Sequence, residues 1–180
     1  MASRRDEITD AALAQLARDG PSFSFDALAA QTGASKALLF HHFGTRQGLL
    51  DAMAERVLRA TQQGLDLLAD EHPEPRARLV ALARALLAEP PDNARETRHV
   101  VQFWLLDDAR GSCRGALRDA LVSDFIAASL REARVAAPPR DVAALVLARW
   151  HGATVAYASG GAVDFDREQE RLVADLAALR

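Results

Sequence analysis

Apolar positions recur along this chain at the three- and four-residue spacing of amphipathic helices, interrupted at intervals by Gly and Pro. Residues 4–18 place Ile8, Ala12 and Leu16, with Ala11, on one stripe, and Asp19-Gly20-Pro21 stops it. From Ser24 onward the pattern predicts two short helices around a tight turn. Ser24 is an N-cap residue, Leu28 and Ala29 supply the inward face, and the helix ends near Thr32 before Gly33, a residue that tolerates left-handed backbone. Ser35 then caps a second helix, Lys36 to His42, with Leu39 and Phe43 four apart on one side while Lys36, Ala37 and His41 point elsewhere. Phe23 and Phe25 read as apolar wedges beneath this pair. Thr45 caps a long helix in which Leu50, Met53, Val57, Thr61, Leu65 and Leu68 hold helical spacing to about Asp70.

His72-Pro73-Glu74-Pro75 breaks the pattern and reads as the boundary between a small head and a larger body. A fifth helix, Arg76 to about Ala88, turns Leu79, Leu82, Ala83 and Leu86 inward and ends at Pro90-Pro91. The sixth, Ala94 to Ala109, carries Val100, Val101, Phe103, Trp104, Leu105 and Leu106, apolar on most sides, which predicts a place in the middle of the body. Gly111 and Gly115 bracket a break before a seventh helix, Arg114 to about Val135, with Leu117, Leu121, Phe125 and Ala128 on one face. Pro138-Pro139 separates it from an eighth, Asp141 to about Ser159, striped by Val142, Leu145, Val146, Trp150, Ala153 and Tyr157. Gly160-Gly161 ends that helix, and Asp166 with Gln169 suggests a capping box for a ninth, whose seam is Leu172, Val173, Leu176 and Leu179. With no hairpin signal and no internal repeat, the expectation is an all-α fold of about nine helices. Residues 1–50 would form the head and residues 51–180 the body, linked by the long fourth helix over residues 46–70.

Composition narrows the class. At 180 residues, 49% hydrophobic and 26% charged, the chain can bury a sizeable core, and its abundance of Ala, Leu and Arg over β-branched residues favours helix. The single Cys113 excludes an internal disulfide framework and reads as a small half-buried side chain. No run approaches membrane-spanning length and no signal-peptide segment opens the chain, so a cytoplasmic location is expected. A formal charge of −3 is not that of a protein that coats nucleic acid, and residues 1–50 balance five Lys/Arg against five Asp/Glu. DNA binding would therefore be local, with Arg4, Arg5, Lys36 and Arg46 aligned on one face while Asp6, Asp10 and Asp19 look away.

Two short helices crossing around a Gly-containing turn are the helix-turn-helix arrangement, whose second helix enters the major groove by its amino-terminal end. There Ser35 and Lys36 meet exposed backbone N–H groups that favour phosphate, and Lys36 can donate to guanine O6 or N7 or to phosphate. The run Gly33-Ala34-Ser35-Lys36-Ala37-Leu38-Leu39-Phe40-His41-His42-Phe43-Gly44-Thr45-Arg46, followed by Leu49-Leu50, resembles the DNA-binding signature of the TetR family of bacterial repressors, over about residues 4–58. The resemblance implies base contacts from Lys36 and Ala37, backbone contacts from Phe40 and His42, and a phosphate contact from Arg46. Ser24, Ser35 and His41 complete the candidate DNA-facing set. The chain departs from the family's pattern in having Phe40 where a Tyr is common and Leu38 where a hydroxyl residue is frequent, which removes two groups available to phosphate. Asp26, in the first turn of the first motif helix, would repel phosphates nearby and offsets the helix dipole.

The same resemblance implies a homodimer on a palindromic double-stranded DNA operator, released by a small, largely apolar effector bound in the body, with no cofactor. The candidate effector-pocket residues are His99, Phe103, Trp104, Trp150, His151 and Tyr157, near Arg149; the competing reading has the aromatics as core and the histidines at the surface. Small residues on the eighth helix, Ala143, Ala144, Ala148, Gly152, Ala153, Ala156 and Ala158, would let a partner helix approach, so helices eight and nine of two copies would form a four-helix bundle. His41 and His42 point about 100° apart on a helix, so one metal ion would not take both. No nucleophile–base pair, phosphate-cradling glycine loop or HExxH spacing argues for an enzyme. A helical adaptor that uses the same turn only to pack helices is the rival class.

Overall fold

The computed structural model describes residues 3–21, 24–88, 94–109 and 114–180, residues 106–109 by their backbone alone. Among these residues the fold is all-α: α1 (Arg4–Asp19), α2 (Phe25–Thr32), α3 (Lys36–Phe43), α4 (Arg46–Glu71), α5 (Pro75–Leu86), α6 (Ala94–Ala109), α7 (Arg114–Glu132), α8 (Pro139–Ala158) and α9 (Phe165–Ala178). Phe23, Pro90, Pro91, Gly111, Cys113 and the side chain of Leu106 lie outside the described residues.

The first four helices start where local chemistry dictates. Ser3, Ser24, Ser35 and Thr45 each sit in extended backbone, and each hydroxyl accepts a hydrogen bond from the backbone N–H three residues on. Such a cap typically stabilises by about 1 kcal/mol. In α1 the cap is reciprocal, because the Asp6 carboxylate accepts from Ser3 while the Ser3 hydroxyl accepts from Asp6 N–H.

Two hydrophobic cores result. The first gathers Ile8, Leu16, Leu28, Leu39, Phe43, Leu49, Leu50 and Met53 from α1–α4, together with Phe103 and Trp104 from α6. The second gathers Leu65, Leu79, Leu82, Leu87, Val122, Ile126, Leu130, Val146, Phe165, Leu172 and Leu176 from α4, α5, α7, α8 and α9. The changeover lies within α4, between Ala54 and Leu65, so the interruption at residues 72–75 falls between Leu68 and Leu79, which both pack with the second core. Glu74 caps α5 there, Pro75 occupies its first turn, and Arg78 donates to the carbonyls of His72 and Pro73 while pairing with Glu132 on α7 at 3.1 Å.

Four details depart from the sequence pattern. α6 is one-sided: Phe103 and Trp104 are buried, whereas Leu105 is exposed. Leu117 is exposed on α7, and the deep seam runs one position later through Val122, Ile126 and Leu130, because α7 is clasped by α8 on one flank and by α4, α5 and α6 on the others. Leu145 is exposed at the edge of the α8 stripe, beside buried Val142 and Val146. The cap of α9 is Asp164, which accepts from Arg167 N–H at 2.9 Å, while Gln169 reaches across to donate to the Arg84 carbonyl.

Candidate nucleic-acid interface and body cavity

Gly33 turns the chain between α2 and α3 at φ 64°, ψ 15°, left-handed backbone that a side chain with a Cβ resists. Ala34 is buried at the turn, and Leu39 and Phe43 pin α3 to the first core. The opposite side of α3 is left to solvent: Ser35, Lys36, Ala37, Phe40 and His41 are exposed and His42 is half-buried. Phe40 is 53% exposed although its ring rests on Phe25, with centroids 5.3 Å apart. Ser24 and Ser35, both exposed, spend their hydroxyls on capping α2 and α3.

The basic groups here all have partners within the chain. Lys36 Nζ pairs with Asp26 Oδ1, an interaction that the sequence reading missed, and both side chains are largely exposed. An exposed pair of this kind contributes about 0–1 kcal/mol, so a phosphate or a base edge can displace Asp26. The Arg46 guanidinium donates to the Pro21 carbonyl, tying the start of α4 to the loop before α2. Arg4 donates to Glu7 and to the Thr32 carbonyl at the end of α2, and Arg5 lies over the Phe43 ring at 5.5 Å. Asp6 and Asp10 are turned toward Arg59 and Arg56 of α4, and Asp19 lies beside Arg18.

Gly48 escaped the sequence reading as well. A Cβ at this position would run into the Phe43 carbonyl oxygen, so the α3–α4 corner closes tightly only around glycine. The signal was available: a glycine in the first turn of a long helix otherwise costs about 1 kcal/mol against alanine.

In the body, a cavity of about 410 Å³ opens between α6, α7 and α8. Val100, Val101, Leu105 and Val155 form apolar walls, and the Arg118 guanidinium lies between the Trp104 and Trp150 rings, 5.0 and 4.8 Å from their centres. Arg118 also donates to Asp119 Oδ1 at 3.1 Å, and His151 Nε2 is 3.3 Å from the same oxygen. Burial alone would raise the Asp119 pKa, but the contact with His151 and the Arg118 charge outweigh it and hold the carboxyl below its ordinary value of 3.8. Among the described residues Thr97 Oγ1, on a residue only 7% exposed, has no hydrogen-bond partner on the cavity wall, and His151 Nε2 has only its 3.3 Å contact with Asp119 Oδ1. A larger groove of about 700 Å³ follows α5, rimmed by exposed Glu74, Arg76 and Arg84, and collects no such unpartnered group among the described residues.

Of the six residues expected around an effector, Trp104, Trp150 and His151 line this cavity and three lie elsewhere. Phe103 is buried in the first core with its ring edge-on to Trp104. His99 faces the head, its Nδ1 2.7 Å from the Ala17 carbonyl at the end of α1. Tyr157 packs edge-on against Phe165 in the second core. Thr97, Arg118 and Asp119 were not anticipated, since each reads in isolation as an ordinary helix-surface residue. Trp104 belongs both to the cavity wall and to the first core.

Residues 8–53 match the model described as "Bacterial regulatory proteins, tetR family". No curated protein matches the chain in sequence. Solved structures resemble it end to end. A TetR-family transcriptional regulator from Rhodococcus sp., titled putative, superposes with a TM-score of 0.77 at 18% identity, covering 99% of both chains. The reduced form of NemR from E. coli gives 0.78 at 18% identity, over 99% of this chain and 98% of that one. A transcriptional regulator from Saccharomonospora viridis, solved in complex with choline, gives 0.73 at 18% identity over 98% and 97%. At such identities the likeness establishes the fold.

Proposed function

From a chain whose residues 8–53 are a tetR-family domain of bacterial regulatory proteins, we propose a transcriptional repressor that binds a palindromic operator as a homodimer and is released by a small, largely apolar effector held in the body. The observation that carries this reading is the exposed amino-terminal half of α3 in that domain. Ser35, Lys36 and Ala37 would approach base edges, and Phe40, His41, His42, Arg46 and Ser24 the flanking backbone. Phe40, without a hydroxyl, gives van der Waals contact only, so phosphate donors must come from the histidines and Arg46.

One α3 offers few contacts, whereas two set about 34–36 Å apart would meet successive major grooves. The dimer surface we favour is the outer face of α8 with α9. Leu145, Ala148, Gly152, Val155 and Ala156 are exposed on one side of α8, and shallow recesses of about 400 Å³ run between the two helices. Ala143, Ala153 and Ala158 are already buried within the protomer and would not take part.

Release requires that the effector bind one arrangement of the heads better than the other. α6 supplies a physical link, because one face lines the cavity while the other holds the head. On that second face His99 and Arg95 contact the Ala17 and Arg18 carbonyls at the end of α1 and Phe103 enters the head's core, which Trp104 joins from the cavity wall. Fluorescence anisotropy with DNA from upstream of the chain's own gene tests the reading, alongside sedimentation. The expected result is a dimer whose affinity falls steeply with salt and with Lys36→Ala. A monomer indifferent to every DNA sequence would overturn it in favour of the adaptor.

A further inference from the structure

We propose that the α6–α7–α8 cavity selects a carboxylic acid with an apolar ring or chain, its carboxylate held by Arg118, Thr97 and His151. The inference rests on the reading of this cavity as the effector site and goes beyond it to the chemistry of the ligand.

Three underused polar groups converge on one apolar space. Arg118 spends Nε and Nη2 on a single Asp119 oxygen, at 3.4 and 3.1 Å, and among the described residues Nη1 makes no hydrogen bond. Stacking between Trp104 and Trp150 fixes the plane of the guanidinium, so its unused edge is already oriented for an incoming oxygen. Among the described residues Thr97 is buried with its hydroxyl unpartnered, and His151 Nε2, also buried, has only Asp119 Oδ1 beside it at 3.3 Å; both line the same cavity. Unpartnered buried polar groups are rare and costly, and a ligand that satisfies them recovers that cost. The only other such side-chain atom among the described residues is Gln15 Oε1, in the head.

The donor set chooses the head group. A fixed guanidinium edge, a hydroxyl and an imidazole N–H match the two oxygens of a carboxylate, and arginine is the side chain best shaped for that group. Asp119 does not exclude the anion, because its Oδ1 already accepts from Arg118 Nε and Nη2. An organic cation would find the indole faces already occupied by Arg118 and would have to expel it. Val100, Val101, Leu105 and Val155 would enclose the ligand's apolar part.

The test uses the chain's own fluorescence. Its two tryptophans are Trp104 and Trp150, both on the cavity wall, so quenching reports occupancy directly. The probes are 3-phenylpropionate, its methyl ester and (3-phenylpropyl)trimethylammonium. The acid should bind at least about tenfold tighter than either of the others. Arg118→Leu should abolish that preference, and Arg118→Lys should retain part of it. Thr97→Val, which preserves shape and apolar packing, should weaken the acid about three- to tenfold, the range for one lost hydrogen bond, without moving the ester. Equal binding of acid and ester, preference for the ammonium, or no quenching by any of the three overturns the proposal. Operator binding of the same samples is measured in parallel. Intact DNA binding with no preference for the acid condemns the ligand class alone, whereas absent DNA binding condemns the regulator reading on which it stands.

Discussion

Head and body treat their polar groups differently. In the head each of α1–α4 is closed by a hydroxyl from the residue just before it, and the exposed bases of α3 and α4 are parked on Asp26 and on the Pro21 carbonyl. In the body Glu74 and Asp164 cap α5 and α9, but α8 starts at Pro138-Pro139 with no side-chain cap and, among the described residues, the cavity wall keeps the Thr97 hydroxyl unpartnered. Gln15 is the head's one exception among the described residues. The difference teaches where each region's specificity resides. On the proposed reading, the head would need only to exchange weak surface pairs for DNA, while the body would hold hydrogen-bonding capacity in reserve for a ligand.

If the two regions are nonetheless one cooperative unit through α4 and α6, the largest test is Leu39→Ala. Leu39 is fully buried beneath the exposed face of α3. Its truncation should cost about 2–5 kcal/mol in urea unfolding. Because Trp104 sits in both the head's core and the cavity wall, circular dichroism and tryptophan fluorescence should still report one shared transition. Two separated transitions would break the claim of coupling.

Gly48→Ala sharpens the account of the head. Helix propensity alone predicts a gain of about 1 kcal/mol, whereas the clash with the Phe43 carbonyl predicts a loss of about 1–3 kcal/mol. The sign of the change in unfolding free energy decides between them.

The head was legible because its signals are short-range. Ser24, Ser35 and Thr45 announce their helices, Gly33 the turn, and Leu39 with Phe43 the buried side, all within a few residues of one another. What escaped was tertiary. Asp26 and Lys36 are ten residues apart on different helices, and Gly48's neighbour is a carbonyl across a corner. The body showed its helices but not its cavity, since Thr97, Arg118 and His151 come from three helices whose relative rotation no periodicity states. The same ignorance of rotation misplaced Leu117 and Leu145, and sent His99 and Tyr157 to a pocket they do not line. Asp166 lost the α9 cap to Asp164 because both are acidic residues near one helix start.

Lys36→Ala probes what the head does with the base it has parked. If Lys36 meets phosphate, its loss weakens all sequences alike and reduces the salt slope by about 0.9 per contact removed. If it reads guanine, discrimination at one base pair per half-site falls by about 1–3 kcal/mol while other positions are unaffected. Unchanged affinity and slope would mean that Asp26 never releases it.

The smallest effect compares two carboxylates, one from each region. Asp6 is held below its ordinary pKa chiefly by hydrogen bonds from Ser3 at an exposed helix start, Asp119 by His151 and Arg118 against the opposing effect of burial. A carboxyl whose pKa is lower in the folded chain than in the unfolded one stabilises the fold above the unfolded value, and that contribution disappears as pH falls through the folded value. Asp6→Asn and Asp119→Asn should therefore each be destabilising near neutrality, and both deficits should shrink as pH falls from about 5 to below about 4. Salt should reduce the deficit of Asp119→Asn less, because its partners lie on a half-buried cavity wall where screening is weak. A deficit at Asp119 that is independent of pH would mean that its role is steric, and Arg118 would then owe its orientation to the two indoles alone.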